Sequence, residues 1–508
     1  MPPLPLSFYE LSVLAILLFT PLLVISCRRR ALSGKPRLPP SPRGLPIIGN
    51  LHQLSSLPHR SLRELSEKHG PLMLLHMGRV PTLIVSSADA AREILKTHDL
   101  VFANRPIQKI GRILSYECED LAFAPYGKYW RQVRKIWAAH LFSNRMVQSF
   151  HHMRKEEVAF LIDKVSSQAA AGGGTVDMSE NLNAFSHDII SRVGLGKISR
   201  KAGLNHVFRE MVRENSKLFA TVSVGEYIPS LGWLDDALFG LTKRAERNRK
   251  RWDDVLDRLI SECAGRKGND DALQEGGLVS VLLALQSDPN MDLSLTKNTT
   301  KALLWDMFGA GTDTSYVLME WTMAELVKNP EVMKKVQGEI RGIAKRKTMV
   351  GEEDLTEMRY LRAVLMEVLR LHPPSPILVP RESMEDCEIN GYKIPKQTRV
   401  LVNSWAIGRD PKSWEAPEEF RPERFIGNPV DFKGNDYEFI PFGAGRRICP
   451  GMNFAVANTE LALANLIHRF DWELPGGLTA EDMDMAEAFG ISVCKKERLK
   501  LIAKPCAN

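Results

Sequence analysis

A helical pattern runs unbroken from about Leu295 to Val327, and any fold this chain adopts must be built around it. Its middle, "LLWDMFGAGTDTSYVLMEW" from Leu303 to Trp321, is apolar apart from one cluster. Gly309 and Gly311 each cost a helix interior about 1 kcal/mol relative to alanine. Thr312, Asp313, Thr314 and Ser315 follow at once. Hydroxyls in a helix can bond the carbonyl one turn back and bend it. Packing glycines with incidental polar neighbours would explain a lone Gly-x-Gly. The whole cluster also reads as a groove where a small ligand lies against backbone and hydroxyls.

The surroundings are helix-rich. "PLMLLHMGRVPTLIVSS" reads as a β-hairpin turning at Gly78-Arg79, and "ADAAREILKTHD" as a helix. From Tyr129 to about Cys263 the pattern is mainly helical, broken by surface loops at 169–175 and 265–277. "LRAVLMEVLRLH" is a helix stopped by Pro373 and Pro374. Short strands follow, including "RVLVNSWAIG", and then a final helix, "MNFAVANTELALANLIHRF". No internal repeat interrupts this order. The expected class is α+β, mainly α, with small sheets near both ends of one domain.

The amino-terminal end differs. Phe8 to Ser26 is apolar apart from Glu10 and a few small polar residues, about long enough to span a bilayer. Pro21 would kink such a helix, which membrane spans tolerate. Arg28, Arg29 and Arg30 follow this segment, whereas a cleaved signal peptide carries its basic residues before the apolar core. The expectation is an uncleaved anchor over residues 1–27, with everything after it in the cytosol. A basic, proline-rich hinge covers 28–50, where five prolines (36, 39, 40, 42 and 46) make a stiff extended spacer. The catalytic domain is assigned to 51–508.

The net charge of +7 on 508 residues is mild, and no basic stripe suggests nucleic acid. Seven scattered cysteines without a CxxC indicate a reducing compartment, and no ligand cluster for zinc is present.

One of those cysteines has unusual company. "PFGAGRRICPG", from Pro441 to Gly451, sets three glycines, two arginines and two prolines around Cys449. Cys449 could be a structural thiol, a zinc ligand, a nucleophile or a cofactor ligand. A nucleophile needs a base, and His468 lies far along the following helix. Pro450 is expected to open that helix. The sulfur then lies at a helix amino end, where the dipole and free N–H groups favour thiolate. Gly443, Gly445 and Gly451 allow positive φ and close approach to a flat object. Arg446 and Arg447 offer forked donors to carboxylates. A thiolate ligand, a flat face and carboxylates together describe haem, and a proximal thiolate favours O–O cleavage.

Three other spacings are weak alone. Glu367 and Arg370 lie one helical turn apart, an ordinary surface pair by default. Arg424 sits in "FRPERF". Trp130 and Arg134 are also one turn apart and only donate, so they could face an anion.

Taken together, these residues resemble the cytochrome P-450 family of haem-thiolate monooxygenases. F-x-x-G-x-R-x-C-x-G is met by Phe442, Gly445, Arg447, Cys449 and Gly451. The oxygen-groove pattern is met by Ala310, Gly311, Asp313, Thr314 and Ser315. Glu367, Arg370, Arg424, Trp130 and Arg134 complete the set. "PPSPRGLPIIGNL", "WRQVRK" and "AGTDTS" are similar to plant microsomal A-type members.

The resemblance implies haem b with Cys449 as axial ligand and O2 as co-substrate. Trp130, Arg134, Arg381 and Arg447 would hold its propionates, with Ala310, Phe442 and Gly451 against the ring. Thr314 with Asp313 would relay protons. Glu367, Arg370 and Arg424 would form a buried structural network. It also implies electrons from NADPH-cytochrome P-450 reductase, with cytochrome b5 as a second donor, at the endoplasmic reticulum membrane. Ile113, Leu114, Phe123, Ala310, Ile377, Leu378 and Phe489 fall in segments that contact substrate in the family, as do Phe219, Val379 and Ile491. Few fixed charges are expected there, which fits a small apolar substrate: a terpenoid, phenylpropanoid, alkaloid precursor or oxime. Two alternatives stay open: dehydration or rearrangement of an oxime on the same haem, and a haem-containing binding protein without turnover.

Overall fold

The computed structural model describes residues 37–171, 174–196, 205–221, 223–264, 272–289, 295–490 and 492–506. The expected anchor and the first part of the hinge lie outside the described residues. Among the described residues no helix is long and apolar enough to cross a membrane.

Ten of the helices in the described residues bear on the site. They are α1 (Pro58–His69), α2 (Lys109–Leu114), α3 (Lys128–His140), α4 (His151–Ala171) and α5 (Met178–Leu195). After these come α6 (Asn205–Ala220), α7 (Leu241–Ala264), α8 (Lys297–Lys328), α9 (Arg359–Leu371) and α10 (Met452–Arg469). The long element expected from Leu295 is α8. Thr296 caps it by accepting from Thr299 N–H, and Asn329-Pro330 ends it. Most of its residues are buried, because α5, α9 and α10 pack around it.

Glycine lets α5 and α8 approach closely. A Cβ on Gly311 would fall 2.5 Å from Ile190 Cδ1, and one on Gly194 would fall 2.3 Å from Met307 Cε. Gly311 is therefore a packing glycine. Gly309 meets nothing within 4 Å and borders open space.

The first hairpin forms as expected, with β1 (Leu72–Met77) antiparallel to β2 (Val80–Val85). The sheet continues through β4 (Arg399–Val402), parallel to β2, to β3 (Arg381–Glu382). "RVLVNSWAIG" is a strand only as far as Val402. Asn403 then accepts from Ala406 N–H and donates to the His59 carbonyl, which caps one helical turn, Ser404–Ile407. A second correction concerns 265–277: residues 265–271 lie outside the described residues, and a helix has begun by Ala272, kinked at Gly277. The proline-rich segment from Arg37 runs beside the sheet: the Pro40 carbonyl accepts from Leu74 N–H of β1, and the Arg37 carbonyl from Lys393 N–H of a separate short hairpin, Cys387–Ile389 with Tyr392–Ile394. A hairpin of β5 (Glu487–Ala488) and β6 (Cys494–Lys495) returns the chain to α8, where Trp321 Nε1 donates to the Val493 carbonyl.

Candidate active site

The loop before Cys449 turns on two glycines in the left-handed region, Gly443 (φ 70°) and Gly445 (φ 68°). A Cβ on Gly445 would lie 2.3 Å from the Leu95 carbonyl oxygen, so protein backbone requires this glycine. Gly451 has φ −86° and needs no such freedom. Nor does Pro450 open the helix: α10 starts at Met452, with Gly451 as its cap residue. The consequence for the sulfur survives this shift, because the N–H groups of Gly451 and Met452 still favour its anion. Burial pushes the Cys449 thiol up, while those amides and Arg134 oppose it. A metal cation at the sulfur would hold it deprotonated.

Cys449 lies deep in the fold yet is only partly covered. Ala310 is likewise exposed in the middle of otherwise buried α8. Asp306, one turn before Ala310, is close enough to act electrostatically on Cys449. This face of α8 therefore looks across an interior cleft toward the cysteine loop.

Buried cations border that cleft. Arg447 donates to the carbonyls of Ala103 (2.8 Å), Leu121 (3.3 Å) and Ala124 (2.6 Å) and lies 4.2 Å over the Trp130 ring. Arg381 donates to the Ala444 carbonyl at 2.9 Å and approaches Asp99 at 3.5 Å. Arg105, which sequence reading missed, donates to the carbonyls of Ala122 (3.0 Å), Val379 (2.6 Å) and Pro380 (2.8 Å). Burial lowers all three: Arg447 to about 9, Arg381 to about 10 and Arg105 well below its ordinary value. Their proximity adds to this, since Arg447 and Arg381 each push Arg105 down. Neither Arg105 nor Arg447 has an ion-pair partner among the described residues.

Half-buried Arg134 points its charge toward Cys449. Trp130 does not aim its N–H at the cleft, because the Leu121 carbonyl accepts it at 3.0 Å. Two buried guanidiniums without an ion-pair partner among the described residues, Arg105 and Arg447, fit a ligand that brings two carboxylates of its own, and the residues therefore fit haem. Arg447→Ala is expected to weaken haem retention about tenfold or more, measured by haem transfer to an apo-globin acceptor.

The structure also finds two acids where few charges were expected. Asp306 Oδ2 accepts from Leu121 N–H at 3.1 Å, and Asp120 Oδ2 accepts from Phe123 N–H at 2.9 Å. Burial pushes Asp120 up to about 6, and burial with the neighbouring Asp120 charge raises Asp306 well above the carboxylate range. They pin the 119–124 loop to α8 beside the arginines.

On α8, Thr314 Oγ1 donates to the Ala310 carbonyl at 2.6 Å. Asp313 accepts from Ser216 on α6, and burial pushes its carboxyl up to about 6. The two residues expected to relay protons are thus adjacent in sequence but bonded to different partners.

The substrate residues divide. Phe123 stacks on Phe219 at 5.2 Å, and Trp305 lies 6.3 Å from the first and 6.4 Å from the second. Phe489 lines a cavity with Asp313. Leu378 approaches Gly443 from β3's side, and Phe442 packs edge-on against Phe432 at 5.5 Å. Leu114 is buried in the core, whereas Ile113 lines an outer cleft with Glu246 and Arg249 of α7. Ile377 packs against the buried cluster of Met73, Leu75 and Leu401, and Val379 is exposed. Ile491 lies outside the described residues.

The Glu367–Arg370 pair, unremarkable by spacing, is fully buried. Arg370 grips both Glu367 oxygens at 2.7 Å and donates to the carbonyls of Gly408, Pro417 and Glu419. Arg424 Nε reaches Glu367 at 3.0 Å, and Arg421 N–H donates to it at 2.8 Å.

Comparison with known proteins agrees with this arrangement. The family model described as Cytochrome P450 matches residues 39–502. The chain is 50% identical to cytochrome P450 71A1 of Persea americana, covering 90% of this chain and 91% of that one. It is 46% identical to phenylacetaldehyde oxime monooxygenase CYP71AN24 of Prunus mume, covering 93% and 90% respectively. A zebra fish cytochrome P450 solved with abiraterone superimposes with a TM-score of 0.74 at 27% identity, over 89% of this chain and all (100%) of that one. With a thiolate-favouring loop facing an apolar helix and the same fold as a solved relative, this chain belongs to the cytochrome P450 family of haem-thiolate monooxygenases.

Proposed function

We propose that the chain oxidises a small apolar specialised metabolite with O2, using electrons passed from NADPH by a membrane-bound cytochrome P450 reductase. Cys449 would supply the thiolate that holds the haem iron. Arg105, Arg381, Arg447 and Arg134 would neutralise the propionates. The observation that carries this reading is the pair of buried arginines without an ion-pair partner among the described residues, Arg105 and Arg447, beside a cysteine whose surrounding amides favour its anion.

Bound haem supplies oxygen activation. The chain's own residues do the rest. The Phe123–Phe219–Trp305 wall presents aromatic faces to an apolar molecule and excludes water. Ala310 and Gly309 leave room on α8 for a small ligand. Asp313, raised to about 6, is ionised for the most part at neutral pH but close enough to it to take up and return a proton, which Thr314 would carry to the cleft. Lys128, Arg131 and Lys135 are exposed along the outer face of α3, with Arg446 on the cysteine loop. This basic surface suits an acidic electron donor. The apolar segment Phe8–Ser26 would anchor the chain in the endoplasmic reticulum membrane, its domain facing the cytosol.

Thr314→Ala is expected to lower product formation roughly a hundredfold while NADPH oxidation continues, with hydrogen peroxide making up the difference. Unchanged coupling would remove Thr314 from the relay. Microsomes fed terpenoids, phenolics, alkaloid precursors and oximes, with and without NADPH, test the function. NADPH-dependent product from one class supports it, and no turnover across the panel contradicts it. Within the substrate classes, an oxime is favoured by the relative named as a phenylacetaldehyde oxime monooxygenase; dehydration or rearrangement of such an oxime is the second reading.

A further inference from the structure

Asp313 is bonded to α6 and not to Thr314. Its Oδ2 accepts a short hydrogen bond, 2.5 Å, from Ser216 Oγ on α6. Beside that contact lies a cavity of about 310 Å3, walled by α5, α6, α8 and the tip of the β5–β6 hairpin. His187 and Ser492 line it, at 1% and 8% exposure. Both His187 nitrogens and Ser492 Oγ lack hydrogen-bond partners among the described residues. Polar groups of this kind around such a volume suit ordered water.

Ser216 lies one turn before Phe219 on the same helix. Phe219 is the residue that stacks on Phe123 in the aromatic wall. The helix that presents an aromatic face to the substrate region thus also presents a hydroxyl to the relay acid.

We infer that Ser216 is a positioning residue for Asp313: its hydroxyl holds the carboxyl against α6, on the side of the water-accessible cavity, and movement of α6 releases it toward Thr314. The inference rests on the reading of Asp313 as the relay acid. It makes α6 the link between filling the aromatic wall and delivering a proton.

The charges around Asp313 give the sign. Burial raises the carboxyl; the Ser216 hydrogen bond and then Arg213, also on α6, oppose it. Lys217 lines the same cavity. Arg209 of α6 and Arg498 are engaged by Glu180 of α5, each at 2.7 Å. His187 of α5 is pushed down to about 3 and stays neutral, and Cys494 of β6 is pushed up to about 11 and stays a thiol. On α8 itself Tyr316 donates to Glu320 at 2.8 Å. Removing the Ser216 hydroxyl therefore removes the largest stabiliser of the carboxylate, and Asp313 must rise further.

The test is an infrared pH titration of the purified, haem-loaded enzyme without turnover. The protonated-carboxyl band of Asp313 is identified by its loss in Asp313→Asn. In Ser216→Ala its midpoint should move up by about one pH unit, while Ser216→Thr should keep the native midpoint. Product formed per NADPH should shift along pH in the same direction. An unmoved or lowered midpoint in Ser216→Ala overturns the inference. Wild-type coupling in Asp313→Asn would instead overturn the relay reading, and the infrared midpoint would still report on Ser216 separately.

Discussion

Cys449→Ala is expected to abolish product formation and the red-shifted carbon monoxide band of reduced, thiolate-ligated haem, while leaving the fold intact. The fold should survive because the side chain is small and makes no ion pair or disulfide. The loss should be complete because no second thiol can replace it: the other described cysteines lie at 118, 263, 387, 494 and 506, in other elements. Burial pushes the thiol up, and the Gly451 and Met452 amides and the Arg134 charge oppose it in favour of thiolate. Without the sulfur those groups face a methyl, and the arginine cluster alone must retain the haem. Cys449→Ser should keep more haem but still lose the thiolate band. A red-shifted band of wild-type intensity in Cys449→Ala would refute the ligand assignment.

The second large effect is on stability. Glu367→Ala should cost about 3–5 kcal/mol, because it strands two buried guanidiniums. Arg370 would lose both of its carboxylate bonds and Arg424 its single one, while both stay fixed by backbone carbonyls. Neither can retreat to water easily: Arg370 is 1% exposed, and Gly408 packs so closely that a Cβ there would lie 2.6 Å from the Arg370 carbonyl oxygen. Chemical denaturation followed by tryptophan fluorescence measures this, with Trp414 5.3 Å from Arg370 as a local reporter. A change below about 1 kcal/mol, the worth of a surface pair, would mean the network is dispensable.

What the sequence made legible followed from locality. The α8 pattern, the β1–β2 hairpin and the Cys449 loop are each written within one contiguous stretch, so their periodicity or glycine placement can be read directly. By spacing alone Glu367 and Arg370 were legible as a pair but not as a buried one, since burial depends on the segments carrying Gly408, Pro417 and Arg424; only the family resemblance implied the buried network. Arg105, Asp120, Asp306 and Ser216 gave no local signal. Each is a single polar residue whose role arises only when the fold brings it to a partner, as Arg105 is brought beside Arg447. The misplaced details have local causes of another kind. Pro450 is compatible with a helix start, but the chain still needs Gly451 before α10 can begin. "RVLVNSWAIG" has a strand composition throughout, yet the Asn403 side chain offers the backbone a cap and the strand stops.

The central claim is that this chain inserts an atom of dioxygen into a small apolar molecule. Turnover under isotopically labelled dioxygen, with NADPH and reductase, tests it most directly on whichever panel compound reacts. The account predicts a product carrying a single labelled oxygen atom for each NADPH consumed in coupled turnover, and no product from Cys449→Ala. A product that forms without label, with dioxygen left unused, would contradict it and assign the chain to dehydration or rearrangement instead.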